Sequence, residues 1–503
     1  MDGSIFFTLL EFLAALFIFA VGALILFSVG VYLHDIRQTK SAILRNYPVI
    51  GHFRYWLEHL GEFLRQYFFA MDREEMPFNR AQRSWVYRAA KNIDNTVAFG
   101  SSINLNAPGT TIFVNCAYPV LDTDIAETQP RRIGPYCREP YDAPSFFNIS
   151  AMSYGALSNP AISALSRGAA QAGCWLNTGE GGLAEAHLVG GCDVVFQIGT
   201  AKYGVRDLAG NLSDEKLREV AAIPQVKMFE LKLSQGAKPG KGGILPAEKV
   251  SAEIAQIRGI PVHQASISPN RHPEINDEQD LLDMLKRIRD VTGKPVGFKA
   301  VIGGYGWLEK LFHEINRRGI ESAPDFITLD SADGGTGAAP MSLMDYVGLP
   351  IQESLPTVVD MLYKFGLRER IRIIAAGKLL NPSQVAWALC AGADFINNGR
   401  GFMFALGCIQ AMQCNKNTCP TGITTHDPKL QKGLVVADKA TRVAHYHHNL
   451  VHEVSTLAHS CGVPEPRDLR RQHCRIVQPD GKIVPLDHLF PYPKRSGKPE
   501  DNA

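Results

Sequence analysis

The sequence predicts an α/β fold, a (β/α)8 TIM barrel with an N-terminal transmembrane helix and a short C-terminal helical extension. Three observations carry this expectation. Residues 12–33 hold no charge, eight short apolar runs alternate with helix-length segments between residues 146 and 399, and glycine blocks follow the last three runs. The expected division is a transmembrane anchor at 1–35, a membrane-proximal helical and linker region at 36–140, the barrel at 141–430 and the extension at 431–503. The 503 residues are 45% hydrophobic and 20% charged, which excludes a disordered or fibrous chain. A formal charge of +2 provides no basic excess to grip a nucleic-acid backbone, so no nucleic-acid partner is expected. Ten cysteines are too sparse in so long a chain for a disulfide-stapled secreted fold.

The first element is the run FLAALFIFAVGALILFSVGVYL. At ~1.5 Å per residue it is long enough for a ~30 Å hydrocarbon layer. A cleaved signal peptide would need a positive leading segment, whereas MDGSIFFTLLE carries only acidic charges. Arg37, Lys40, Arg45 and Arg54 follow the run and no Lys or Arg precedes it. The positive-inside rule then predicts a single-pass protein of the cell membrane with its body in the cytoplasm. Residues 46–69 mix aromatics with Arg and Glu at helical spacing. That pattern suits either the membrane surface or packing on the body.

The barrel strands are expected at 146–153 (FFNISAMS), 174–179 (CWLNTG), 194–199 (VVFQIG), 226–233 (VKMFELKL), 295–301 (PVGFKAV), 325–331 (DFITLDS), 371–377 (IRIIAAG) and 394–399 (DFINNG). Continuous apolar runs separated by helical segments such as NPAISALSRGAAQAG indicate parallel strands buried on both faces. Eight units over roughly 250 residues fit a closed barrel by size. An open doubly wound sheet is the alternative, but no G-x-G-x-x-G follows the first run. The longest insertion, 234–294, separates the fourth and fifth strands, and its apolar run VHQASIS (262–268) is counted as extra.

Chemistry concentrates at the strand ends. The blocks Asp333-Gly334-Gly335-Thr336-Gly337, Ala376-Gly377-Lys378 and Asn398-Gly399-Arg400-Gly401 follow runs six, seven and eight. In barrels those loops commonly bind phosphate through backbone N–H groups, and glycine lets the backbone approach. Arg400 adds charge. Lys299, in the middle of a buried strand, needs a partner. An anionic reduced flavin ring and a structural Asp or Glu are both candidates. Cys408, Cys414 and Cys419 form C-x5-C-x4-C. Three close thiolates suit an iron–sulfur cluster, naturally 3Fe–4S, and zinc is the alternative. The other seven cysteines show no ligand spacing. His445, His447, His448 and His452 read as a solvated helix face.

Together these residues resemble the FMN domain of glutamate synthase, through SAMSYGALS (150–158), NTGEGG (177–182), LKLSQGAKPGKGGILPAEKV (231–250), SADGGTGAAP (331–340) and LGCIQAMQCNKNTCPTG (406–422). The resemblance covers about residues 140–430. It implies a barrel holding FMN and a 3Fe–4S cluster, and reduction of 2-iminoglutarate to L-glutamate. It further implies that Lys238 and Arg258 contact 2-oxoglutarate, with Lys232 and Gln235 lining the same pocket. Arg suits a carboxylate through two parallel hydrogen bonds. Glu180 matches a carboxylate near the reacting carbon, a proton donor or ammonia orienter if burial raises its pKa. Met152, Ser153, Asn177, Gln197, Lys299, Asp333, Gly334, Gly335, Gly377, Gly399 and Arg400 are the implied cofactor contacts.

The sequence departs from the family where a Gln is replaced by Ile244 and where the strand-seven Asp-Gly reads Ala376-Gly377. With a membrane span where the long enzymes carry a glutaminase domain, ammonia is expected to arrive free or from a partner. Ferredoxin, a nicotinamide-oxidising subunit and quinol are all candidate electron donors. Two other functions compete. One is an FMN and iron–sulfur oxidoreductase of another substrate, such as an N-methylglutamate synthase subunit. The other is a non-catalytic membrane electron-transfer subunit. A hydroxy-acid dehydrogenase is disfavoured because 331–336 offers neither the His base nor the Arg it needs.

Overall fold

A computed structural model describes residues 3–126 and 128–493. They fall into two compact units divided between Ala81 and Gln82, so the expected 36–140 region is shared between them.

The first unit begins with the helix Gly3–Arg37. Within its stretch Ile5–Arg37 an 18-residue window reaches a mean hydropathy of 2.8 with none of that window buried, and the stretch is long and apolar enough to cross a membrane. Near its end Asp35 is fully buried. It accepts hydrogen bonds from the Val49 N–H (3.0 Å) and pairs with His52 Nε2 (3.0 Å). That pair fixes the turn into a second helix, Gly51–Leu64. Ile50, Phe53, Trp56 and Leu57 stay exposed there.

The second unit is a closed barrel of eight parallel strands: β1 (Phe147–Ile149), β2 (Leu176–Asn177), β3 (Val194–Ile198), β4 (Val226–Lys232), β5 (Val296–Val301), β6 (Phe326–Asp330), β7 (Arg372–Ala376) and β8 (Phe395–Asn398). The sheet closes where β8 pairs with β1, Asn397 opposite Asn148. Each strand lies inside one of the expected runs. β3, β5, β6 and β8 are buried at every position, which is why the runs are continuously apolar. The first crossover helix, Asn159–Ala172, starts on a Ser158 side-chain cap and stops at Gly173, whose φ is +67°. Within it, a Cβ on Gly168 would lie 2.5 Å from Val443. Glycine there allows the helix Val436–Ser460 to pack in close contact.

One end of the barrel is stoppered. The hairpin Arg131–Ile133 and Tyr141–Ala143 contributes Ile133, Tyr141 and Ala143 to a buried cluster with Trp175, Val195, Met228, Phe326, Ile374 and Phe395. The barrel residues come from near the strand starts, so this plug leaves only the opposite end for chemistry. The insertion between β4 and β5 covers that end. It contains an antiparallel pair, Ile244–Leu245 with Ser266–Ile267, and the helix Ala252–Arg258. Hydrogen bonds from Gly236 N–H to Asp330 (2.9 Å) and from Ala237 N–H to the Ala332 carbonyl (2.8 Å) tie its start across β6.

Two expectations need correction. The C-terminal extension is not only helical. After Val436–Ser460, Cys474–Val477 pairs antiparallel with Ile483–Pro485 and with Thr111–Phe113 from before the barrel. Strands of three or four residues are too short to show a periodicity. The extension's last ten residues, 494–503, lie outside the described residues. Nor is the histidine face wholly solvated. His448 and His452 are exposed, but His447 is buried with Nε2 2.9 Å from Ser145 Oγ. Burial drives its pKa down to about 3.

Candidate active site

Where β1, β2 and β4 to β8 end lies a solvent-open cavity of about 190 Å³. One wall is backbone. Gly335, Gly377 and Gly399, which follow β6, β7 and β8, line it beside Lys378 and Arg400. Gly377 has φ +117°, and a Cβ there would lie 2.3 Å from Ser331 Cβ, so no other residue fits. At Gly335 a Cβ would meet Arg400 Nε at 2.6 Å. The Arg400 guanidinium also donates to the Thr336 carbonyl, stapling the loops after β6 and β8. The result is a row of bare backbone flanked by two cations, a cradle that could hold a phosphate group.

The floor is a charge network inside the barrel. Lys299 Nζ lies 3.1 Å from Asp330, and both line the cavity. Burial works against the Lys299 charge, but Asp330 and Glu230 together hold its pKa above the ordinary value. Lys299 therefore has the structural partner that was one of its two candidates, and still faces the cavity. Beneath it, Glu230 accepts from Asn177 Nδ2 (2.8 Å), Gln197 Nε2 (2.7 Å) and Thr328 Oγ1 (2.5 Å). Asn177 and Gln197, expected to contact the cofactor, hold this buried carboxylate and are not among the residues that line the cavity. Trp175 Nε1 donates to Asn397 at 3.0 Å, fixing another lining side chain from the plugged end.

The facing wall is ionic. Glu180 sits 2.8 Å from Lys232 Nζ. Two glycines make room for it, since a Cβ on Gly243 would lie 2.5 Å from its Oε1 and one on Gly199 would lie 2.6 Å from its Cβ. Burial pushes the Glu180 pKa up, but Lys232, Lys238 and Arg258 outweigh it and hold the group below the usual value. The expectation of a raised pKa is thus reversed, because three cations converge on one carboxylate. Lys238 is buried, with Nζ 3.1 Å from the Ala338 carbonyl. Burial lowers its pKa to about 8, partly offset by Glu180. Arg258 stacks 5.2 Å from the Tyr203 ring centre and donates to Ser266 Oγ and the Tyr154 carbonyl, both at 3.2 Å. Its buried Nε has no partner. Gln235 and Ile244 complete this wall.

The cysteine loop abuts the cradle. Arg400 Nη1 lies 3.9 Å from Cys414 Sγ, and Tyr87 donates to the Cys408 carbonyl at 2.6 Å. Lys249 Nζ bridges the Ala156 carbonyl (2.8 Å) and the Cys414 carbonyl (3.1 Å). Burial pushes the Cys408 thiol up to about 11. At Cys419 burial acts the same way, but hydrogen bonds from Thr421 and Thr424 hold the thiol below its usual value. Among the described residues, no three His, Cys, Asp or Glu side chains are grouped closely enough to hold a metal ion, the three loop cysteines included. All ten cysteines are free.

Of the residues expected from sequence, Met152, Ser153, Glu180, Gln235, Lys238 and Arg258 line the cavity. So do Lys299, Gly335, Gly377, Gly399 and Arg400. Lys232 stands behind Glu180. Gly334 packs near Gly236, and Asp333 is taken up by Ser331 and by Lys378 at 3.2 Å. Sequence reasoning missed Glu230, Lys249 and Lys378. The signal that singled out Lys299, a charge inside a buried strand, applies equally to Glu230. Lys378 and Lys249 stand inside strings already noted for their glycines and their resemblance.

The family model for the conserved region in glutamate synthase matches residues 115–464. Glutamate synthase large subunit-like protein YerD of Bacillus subtilis is 40% identical over 518 residues, covering 95% of this chain and 98% of that protein. The archaeal-type glutamate synthase (NADPH) of Thermotoga maritima is 34% identical over 325 residues, 64% of this chain and 60% of that one. The archaeal glutamate synthase (NADPH) of Methanocaldococcus jannaschii is 33% identical over 339 residues, 65% of this chain and 61% of that one. The chain thus spans about three fifths of the two archaeal-type relatives. Among solved structures, the flavin-binding domain of baker's yeast flavocytochrome b2 matches with a TM-score of 0.46 and 15% identity, over 84% of this chain and 86% of that one.

Proposed function

The chain belongs to the glutamate synthase family, and from that premise we propose that it is a membrane-anchored oxidoreductase that reductively aminates 2-oxoglutarate, through 2-iminoglutarate, to L-glutamate. The observation that carries the reading is one cavity with a phosphate cradle on one wall and Glu180, Lys238 and Arg258 on the other. FMN bound there would supply the hydride, and a 3Fe–4S cluster on Cys408, Cys414 and Cys419 would relay single electrons. The cradle of Gly335, Gly377 and Gly399 with Arg400 and Lys378 fits the flavin phosphate, and Lys299 suits the ring's anionic edge. The three thiols share one loop against that cradle.

The chain's own residues do the rest. Lys238, Arg258 and Gln235 supply the charge and donors that hold a dicarboxylate, and the unpartnered Arg258 Nε has a hydrogen bond left to give. Glu180, kept ionised by its cations, accepts an N–H from ammonia or from the imine and orients it. Lys238, with a pKa lowered to about 8, delivers the proton that the product nitrogen needs. The insertion closes over the strand ends and limits water. Ammonia comes free or from a partner. Electrons come from ferredoxin, a nicotinamide-oxidising subunit or quinol. The helix Gly3–Arg37 anchors the barrel to the cytoplasmic face of the cell membrane.

Ile244 favours one second reading. An alkyl side chain on the substrate wall suits an N-methylated product, made with methylamine in place of ammonia, as in an N-methylglutamate synthase. The test is product analysis with a chemical electron donor, 2-oxoglutarate and either amine. L-Glutamate from ammonia supports the first reading. N-methylglutamate alone would move the second ahead, and no product from either amine would contradict both.

A further inference from the structure

At the plugged end of the barrel lies a second solvent-open cleft, of about 300 Å³. Arg372 opens β7 and Asp394 immediately precedes β8, whereas Gly377 and Gly399 of the first cavity follow the same two strands. The two sites are therefore at opposite ends of the barrel. Five arginines line the cleft, Arg131, Arg368, Arg372, Arg467 and Arg470, against two carboxylates, Glu369 and Asp394.

Around Asp394 the charges do not balance. Asp394, 1% exposed, serves three guanidiniums at once: Arg131 at 2.9 Å, Arg368 at 3.0 Å and Arg372 at 3.8 Å. Arg467 pairs with Glu465 at 3.1 Å and Arg470 with Asp468 at 3.6 Å. Arg467 is 5% exposed, yet its Nη1 is buried with no partner, as is Arg368 Nε. Burying guanidinium donors unpaired is costly. Burial lowers the Arg372 pKa, and repulsion from Arg131 and Arg368 adds to this against the pull of Asp394. A plain structural ion pair would need one arginine, or two, for one carboxylate. Here the surplus is cationic, planar and gathered from three distant segments of chain. Tyr363 and Tyr492, with ring centres 6.3 Å apart, stand in the same lining.

We propose that this cleft is a binding site for a polyvalent phosphate-type oxyanion, separate from the flavin cradle. Guanidinium forks match phosphate oxygens through paired charge-assisted hydrogen bonds. A diphosphate group would take up the free Arg467 and Arg368 donors and neutralise the surplus around Asp394. Such a ligand would report on the chain from the end remote from the chemistry.

The test is calorimetric titration of the full-length protein in detergent, saturated with FMN to fill the first cradle. The probe is inorganic pyrophosphate at ionic strength held constant with sodium chloride. Saturable one-to-one binding is expected. The double variant Arg372→Gln, Arg470→Gln should lose at least tenfold in affinity, about 1.4 kcal/mol, with flavin absorbance and iron content unchanged. Arg470 is half exposed, so Arg470→Gln alone, expected to weaken binding by a smaller factor, provides a variant that folds. ADP binding more tightly than pyrophosphate would assign the oxyanion to a nucleotide, with Tyr363 and Tyr492 beside its base. Absence of saturable pyrophosphate binding to the wild type, or unchanged affinity in the variants, would overturn the proposal.

Discussion

Removing the Lys238 cation should cost the enzyme its substrate before anything else. Lys238 is 4% exposed, so its charge acts with little screening by water. Its one hydrogen bond is to the Ala338 carbonyl, which leaves two N–H donors for a carboxylate. Taking away one buried cation that faces an anion typically costs about 2–5 kcal/mol, because the remaining charge is left unpaired. At ~1.4 kcal/mol per factor of ten, Lys238→Met should lower kcat/KM for 2-oxoglutarate by roughly 30-fold to several-thousandfold. Methionine keeps the length of the stem and fills the space, so loss of packing is a minor part of the effect. The Glu180 carboxylate also loses one of its three stabilising cations and should titrate at higher pH. The assay is steady-state turnover with a chemical electron donor, alongside the flavin and iron spectra of the same sample. Both spectra should match the wild type, since Lys238 holds neither the cradle nor the thiols. Unchanged kcat/KM with 2-oxoglutarate would refute the role given to Lys238. An equal loss of bound flavin would make that role structural.

Other tests reach other parts of the site. The Lys238 ammonium is the binding form and loses its proton as pH rises through about 8, so kcat/KM should fall above that pH. Lys238→Arg should remove this limb while lowering kcat, since arginine keeps its proton, and persistence of the limb would assign it to another group, with Lys249, also near 8, the first candidate. Cys414→Ser should strip iron while leaving most flavin bound, and stoichiometric zinc without iron in the wild type would contradict the cluster. Protease added outside intact cells should spare the barrel if the anchor and its basic flank orient it inward. Digestion there would reverse the topology.

The barrel was legible because its strands are buried on both faces, which leaves an unmistakable run such as VVFQI in the sequence. Glycine blocks marked the strand ends for an equally local reason, since a Cβ at Gly377 or Gly335 collides with a neighbour. What escaped notice depends on contacts distant in sequence. That Asn177 and Gln197 both bond to Glu230, from another strand, is one such contact. The reversed pKa of Glu180 needs Lys232, Lys238 and Arg258 brought together by an insertion whose path no periodicity records. Thr111–Phe113 pairs with Cys474–Val477 across some 360 positions. The arginine cleft is drawn from residues 131, 368–372 and 467–470, each unremarkable alone.

In the proposed function, one cavity joins flavin chemistry to a 2-oxo dicarboxylate and an amine. The most direct measurement is anaerobic: the purified protein is photoreduced, then mixed with 2-oxoglutarate with and without ammonia while flavin absorbance is followed. Rapid reoxidation with both present, slow or none with either alone, and one L-glutamate per flavin reoxidised is the predicted result. A reduced flavin that stays reduced in the presence of 2-oxoglutarate with ammonia, and of 2-oxoglutarate with methylamine, would contradict it.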